Sequence, residues 1–442
     1  MSDHETPEEL EGDLERRLSS KASMRHLLRG CSTCQAAAWE SLLFLKRAAR
    51  GEPAAEGAIT DYSDATFDRA ASNALLALSL PPREQRRFLA ATSALRSGDG
   101  VLAITQSAEM SVQGLGIYEA LLARSWALRY ESPTEMCHLA RVAMEVAGGL
   151  DPAAYGAARV ADLRARAWGE LANAYRVADR LREAGSAFGE AFAFARQGSS
   201  DRALKMRLLD LEASYLGTLR EFPLALERLT MLAKLYQEGG DDHLAGRALI
   251  KKALYTYYRG DTEEACRTIE EGLFLIDLGR DPTLGVTGTL NQLLFQVECG
   301  RFTEAKKLLF RNRVQFQSLD RILKLRLRGI EGRIGYGRGE LESAEIAFRE
   351  TKEGFAGAGM SFACGIAGLD LALTLLRLGR RDEAIAEGLE SAALFFSVGV
   401  HREIYGTAAL LEDCFRKERT DLALLEASVQ YLRKKMIELG VG

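Results

Sequence analysis

Six alanines recur along this chain at an almost constant interval: Ala184, Ala225, Ala265, Ala305, Ala344 and Ala384. Their spacings are 41, 40, 40, 39 and 40 residues. Each closes a short polar stretch: RVADRLREA, TLREFPLAL, YYRGDTEEA, VECGRFTEA, YGRGELESA and LRLGRRDEA. Each stretch lies between two segments with apolar residues at helical spacing. A period of 20–50 residues makes a chain a stack of similar units, each burying its apolar face against its neighbours. The composition agrees with helices. Only 8 of 442 residues are proline, and 47% are hydrophobic, with Ala, Leu, Glu and Arg prominent. The pair turns are therefore expected near residues 180, 221, 261, 301, 340 and 380.

Trp168, Leu171, Ala172, Tyr175, Ala184, Phe188 and Ala191 stand at the spacing W-x2-L-G-x2-Y…A-x3-F-x2-A, with Ala172 in the place of the small glycine. This pattern resembles the tetratricopeptide repeat. Ala172 and Ala184 would let two antiparallel helices cross closely, and Trp168, Tyr175 and Phe188 would fill the space between pairs. The small residue of the first helix recurs as Ala213, Ala253, Gly332 and Ala372, with Leu293 departing from it. Gly260, Gly300, Gly339 and Gly379 end first helices, where a left-handed cap suits a residue without Cβ. The resemblance implies an all-α, right-handed solenoid of tetratricopeptide-like helix pairs. HEAT and armadillo arrays share the longer period but not this aromatic pattern.

Three regions are expected. Residues 116–442 form the array. Residues 117–150 are a degenerate first copy, with Pro133 in the first turn of its second helix. Residues 402–416 and 421–439 make a capping pair. Residues 51–115 are a linker and helical extension, where TFDRAASNALLALSL and PPREQRRFLAATSALRS read as two helices separated at Pro81 and Pro82. Residues 1–50 form a small helical module.

That module carries RHLLRGCSTCQ over residues 25–35, in which His26, Cys31 and Cys34 are spaced as metal ligands. About 45 residues bury too little surface to fold securely alone, and a metal would supply what the core lacks. The segment resembles the zinc-binding domain of anti-sigma factors, although that family has three residues between its His and first Cys, where this chain has four. The resemblance implies one structural Zn(2+) held by His26, Cys31, Cys34 and His4. A plain pair of reduced thiols and a redox-active CxxC are the alternatives. The other cysteines, Cys137, Cys266, Cys299, Cys364 and Cys414, read as small core residues.

In tetratricopeptide arrays the first helix of each pair lines the concave groove. Carried onto this chain residue by residue, the groove positions fall on Arg166, Asn173, Arg176, Arg207, Arg247, Lys251, Tyr257, Tyr258, Asn291, Arg326, Arg333, Tyr336 and Arg377. Eight basic residues lie among these positions, against the four acids Glu170, Asp210, Glu298 and Asp370. An acidic or phosphorylated protein segment is the guest such arginines suit. The arginines are taken as exposed.

The formal net charge of −4 gives no global basic field, which makes direct nucleic-acid binding unexpected. No apolar run is long enough for a membrane span, and the acidic start is no secretory signal, so a cytoplasmic protein is expected; an array behind a small N-terminal module also resembles the arrangement of bacterial regulators, which implies a bacterial one. There is no G-x-x-x-x-G-K-[ST], H-E-x-x-H or G-x-S-x-G motif. GYGRG at 335–339 reads as a helix terminus, and His138, His243 and His401 as isolated surface or capping residues. The reading is a non-catalytic scaffold that binds a protein or peptide partner. The alternatives are a zinc-dependent anti-sigma-like transcription regulator with the array as sensor, and an adaptor for a signalling enzyme.

Overall fold

The computed structural model describes residues 80–95, 114–397 and, near the C-terminus, residues 426, 427, 429, 430 and 433. Among these every regular element is helical. The chain divides into two compact units, with the boundary between Leu211 and Glu212.

Among the described residues of the first unit, α1 (Pro82–Ala94) comes first and packs on α2 (Leu115–Ala127). Their crossing is close: a Cβ on Gly116 would stand 2.1 Å from the Glu84 carbonyl. The buried Glu84 carboxylate accepts the Gly116 N–H at 2.8 Å and the Arg87 guanidinium at 2.7 Å. Then come α3 (Pro133–Gly148), α4 (Pro152–Tyr155), α5 (Ala157–Val177) and α6 (Leu181–Ala195). Pro133 occupies the first turn of α3, and the Ser132 hydroxyl caps it. Residues 117–150 are thus a helix pair, as the spacing implies. Helix α7 (Arg202–Thr218) carries the chain across the boundary.

The second unit continues with α8 (Phe222–Glu238), α9 (Asp242–Tyr258), α10 (Thr262–Leu275), α11 (Pro282–Glu298) and α12 (Phe302–Asn312). It goes on through α13 (Arg321–Arg338), α14 (Leu341–Gly357), α15 (Ser361–Arg377) and α16 (Arg381–Ser397). The pairs α9–α10, α13–α14 and α15–α16 pack side by side, and the first helices α9, α11, α13 and α15 also touch in succession. Asp241, Asp261, Asp281 and Asp320 cap α9, α10, α11 and α13 by accepting a backbone N–H of the first turn.

One turn explains the period. At all six pair turns a backbone N–H bonds to the carbonyl five residues earlier: Arg180 to Tyr175, Glu221 to Leu216, Asp261 to Thr256, Arg301 to Gln296, Glu340 to Gly335 and Arg380 to Leu375. The residue before each donor has positive φ, as in a Schellman motif. Gly260, Gly300, Gly339 and Gly379 fill four of these positions, and Asp179 (φ 59°) and Arg220 (φ 63°) fill the other two. The sequence does not reveal those two: arginine gives no signal of a left-handed conformation, and aspartate tolerates one far less distinctively than glycine.

All six periodic alanines are fully buried, as are Ala172, Ala213, Ala253 and Ala372. Leu293 is buried too, filling its position with a larger side chain. A Cβ on Gly332 would meet the Phe348 ring at 2.7 Å, so α13 and α14 approach as closely as the repeat requires. Trp168 packs against Ala165, Ala191, Leu204 and Leu208, between helix pairs. Cys137, Cys266 and Cys364 are buried and Cys299 is half-buried; Cys414 lies outside the described residues. His243 is buried, not a surface residue, and its Nδ1 accepts the Asp277 N–H at 3.2 Å. His138 is exposed beside the buried Cys137, so the two do not form a nucleophile–base pair. Among the described residues no helix is long and apolar enough to cross a membrane.

Candidate partner-binding faces

The groove residues inferred from the repeat do lie on first helices, but much of their charge is answered within the fold. In the first unit an acid–base ladder runs across α2, α5 and α7. Arg166 Nη1 meets Glu119 Oε1 at 2.7 Å. Arg207 forks onto Glu170, with Nε to Oε1 at 2.6 Å and Nη2 to Oε2 at 2.9 Å, and its Nη1 lies 3.9 Å from Asp210. Its guanidinium also stacks on Trp126 at 4.6 Å. Burial works against the charge of Arg207, but the Glu170 carboxylate outweighs it and raises the pKa. Arg166 and Arg207 are therefore half-buried structural pairs, not the exposed stripe expected from periodicity. Asn173 is buried, and its Oδ1 accepts both Nε and Nη2 of Arg176.

In the second unit, Lys251 donates to the Ser214 hydroxyl at 3.0 Å. Arg247 and Asn291 are half-buried, and Arg326 is exposed. Tyr257 is buried against Phe295, with ring centroids 4.8 Å apart, and Tyr258 lies among Phe222, Tyr255 and Tyr257. These tyrosines serve the core as much as a surface. Sequence spacing cannot separate the two roles, because a first helix has one flank toward its pair and another toward the next.

One cluster draws on four successive first helices. Glu298 on α11 accepts Arg333 Nη2 of α13 at 2.7 Å and the Tyr257 hydroxyl of α9 at 3.5 Å. Burial raises the Glu298 carboxyl pKa, but Arg333 and Arg433 overcome it and hold the pKa below the usual range. Arg377 lies over the Tyr336 ring at 4.6 Å and donates to the Tyr336 carbonyl at 3.0 Å. The Tyr336 hydroxyl meets Glu426 Oε1 at 2.5 Å, and Asp370 on α15 pairs with Arg433. The sequence reading missed this meeting. It placed residues 421–439 in a terminal cap, and no local pattern ties Glu426 to a helix ninety residues earlier.

Cys266 and Cys299 place their sulfurs 3.6 Å apart, but burial pushes both thiols up, Cys299 to about 12, with the Cys266 sulfur reinforcing it. They are neutral at physiological pH and so are weak nucleophiles. GYGRG ends α13: Gly339 is its left-handed cap, and a Cβ on Gly337 would strike the Phe302 ring. A shallow cleft there, lined by Gly300, Phe302, Thr303, Glu304, Gly337 and Arg338, contains one carboxylate and neither histidine nor cysteine. His4, His26, Cys31 and Cys34 lie outside the described residues. Among the described residues no group of three or more His, Cys, Asp or Glu side chains is placed to hold a metal.

No protein-family model matches the chain, and no curated protein sequence matches it. Solved structures do. The apo form of RapI is similar over 88% of this chain and 99% of that one, at 11% identity and a TM-score of 0.51. Aspartyl phosphate phosphatase F from Bacillus subtilis is similar over 85% of this chain and 94% of that one, at 13% identity and a TM-score of 0.48. A signal transduction ATPase with numerous domains and a tetratricopeptide repeat sensor, from Pyrococcus horikoshii, aligns over 88% of this chain and 55% of that one, at 14% identity and a TM-score of 0.42. The fold is an all-α array of tetratricopeptide-like helix pairs.

Proposed function

We propose that this chain is a non-catalytic interaction protein that binds a protein or peptide partner on faces built from the first helices of its pairs. The observation that carries this reading is the cluster of Tyr257, Glu298, Arg333, Tyr336 and Asp370. It draws polar groups from four consecutive first helices to one place, where they engage polypeptide from elsewhere in the sequence. Helix arrays recognise other chains in this way, through side chains contributed one repeat at a time. The raised thiol pKa values support a non-catalytic role.

The array would occupy residues 116–442 and the connecting extension residues 51–115. Helix α1 of that extension packs on the first array helix. A zinc-held module at residues 1–50, using His4, His26, Cys31 and Cys34, would supply a second contact. This second reading, a zinc-dependent anti-sigma-like transcription regulator with the array as sensor, rests on the spacing of those four residues.

The test is affinity purification of partners with the full-length chain, followed by titration of each purified candidate. A partner that binds the wild-type chain and loses at least tenfold on the double variant Arg333→Ala/Tyr336→Ala, with helical content unchanged, supports the reading. Partners whose binding ignores that variant place recognition elsewhere and overturn it.

A further inference from the structure

The second unit shows what kind of ligand its first-helix face accepts, because it already holds one. Glu426, Ala427, Val429, Gln430 and Arg433 are helical. Positions 426, 429 and 433 are three and seven residues apart, the spacing that puts helical residues on one face. All three are engaged. Glu426 accepts from the Tyr336 hydroxyl at 2.5 Å. Val429 is 1% exposed. Arg433 pairs with Asp370, with only 14% and 7% of the two side chains exposed. The contacts fall on α13 and α15, and Arg433 also feels the charge of Glu298 on α11.

The fit is incomplete in a telling way. Arg433 Nε is buried with no hydrogen-bond partner. Burial works against the charge of Arg433, and the Arg333 guanidinium adds repulsion, while Glu298 favours the charge. An unsatisfied buried donor opposes the seating of the group that carries it. The segment is thus specifically placed but held below the affinity its contacts could give. Belonging to the same chain compensates, since an intramolecular ligand acts at a raised effective concentration. A free ligand that satisfied the same site fully could compete.

We propose that the first-helix face of the second unit is a helix-binding site occupied by the chain's own C-terminal segment, and that a protein partner enters by presenting a helix with the same face: an acid, an apolar residue three positions on and an arginine seven positions on. This deepens the proposed function and rests on it for the partner. The self-occupied site itself needs no partner to be tested. It also changes the guest expected, from a wholly acidic segment to one that carries both signs. The residues that meet the occupant's cation are Asp370 and, nearby, Glu298, so the site takes a base at one end and an acid at the Tyr336 end.

The experiment uses a fluorescent peptide spanning residues 421–439 of this chain, added to full-length protein and followed by anisotropy. The wild-type chain should bind it weakly, because the tethered copy competes. The full-length variant Arg433→Glu sets two carboxylates against each other at Asp370, expels the tethered copy and should bind the wild-type peptide at least tenfold more tightly. A peptide carrying Arg433→Glu should not bind that variant. Glu426→Ala, a milder change, should raise peptide affinity several-fold. It decides the matter alone if Arg433→Glu does not fold, as judged by circular dichroism. Folded variants that bind the peptide no better than the wild-type chain overturn the proposal. If the peptide fails while a purified partner still depends on Arg333 and Tyr336, only this inference falls and the proposed function stands.

Discussion

Arg207 on α7 grips Glu170 on α5 through two parallel hydrogen bonds of 2.6 and 2.9 Å, one repeat apart. The Glu170 side chain is 11% exposed and that of Arg207 is 28%. The pair joins consecutive first helices in the first unit, where Arg166 and Glu119 make the preceding rung. A planar guanidinium that forks onto a carboxylate fixes orientation as well as distance.

Truncating one partner of a buried pair leaves the other charge desolvated and unanswered. Arg207→Ala should therefore destabilise the first unit by about 2 kcal/mol, a value lowered for its partial exposure. Arg326→Ala, at an exposed position of the same repeat register, should cost no more than about 0.5 kcal/mol. Urea titrations of the two variants followed by circular dichroism check this. Equal effects would remove the distinction between structural and surface arginines.

The turn geometry predicts opposite outcomes for two glycines. Gly339 has φ 79° and open space where a Cβ would stand, so Gly339→Ala suffers from backbone strain alone. It should destabilise by about 1 kcal/mol. Gly189 sits inside α6, also with nothing within reach of a Cβ. Gly189→Ala should stabilise by about 0.5–1 kcal/mol, because alanine loses less entropy on entering a helix. Thermal melts of the two single variants should move in opposite directions.

His243 gives the second unit a pH dependence. Its Nδ1 accepts a backbone N–H and must be unprotonated to do so. Burial depresses its pKa and Arg280 adds to this, against the opposing pull of Asp281, Asp241 and Asp277. The unfolded chain then takes up the proton first as pH falls, near the ordinary value of about 6.5. The stability His243 contributes is present above that value and is lost as pH drops toward the folded pKa. The unfolding midpoint should decline between about pH 7.5 and 5.5. His243→Asn, whose Oδ1 can accept the same N–H without titrating, should flatten that part of the profile. An unchanged slope in His243→Asn would assign the dependence to other groups.

Zinc analysis tests the N-terminal reading. Protein purified without chelators should contain one equivalent of zinc, and Cys31→Ser should lose it, because serine is not a thiolate at neutral pH. Chelation should leave most of the helical signal in place, since the array is stabilised by its own buried core. A stoichiometry near zero, with Cys31 and Cys34 freely titratable, would make them an ordinary thiol pair.

The sequence by itself determined the array. A 40-residue period and the small residues at Ala172, Ala184 and their equivalents are local facts, and local facts decide helices, turns and close crossings. The pair turns lie where the aligned alanines put them: α6, α8, α10, α12, α14 and α16 begin at residues 181, 222, 262, 302, 341 and 381. The site was only partly legible. Periodicity places Arg166, Arg207 and Arg333 on first helices but cannot say what each guanidinium meets, because the partners Glu119, Glu170 and Glu298 belong to neighbouring repeats. Charge counted residue by residue therefore overstated a free basic face. The seating of Glu426 and Arg433 against Tyr336 and Asp370 was decided by tertiary structure alone. It depends on long-range packing, and nothing in the residues around 426 or 433 records which distant helix they will touch.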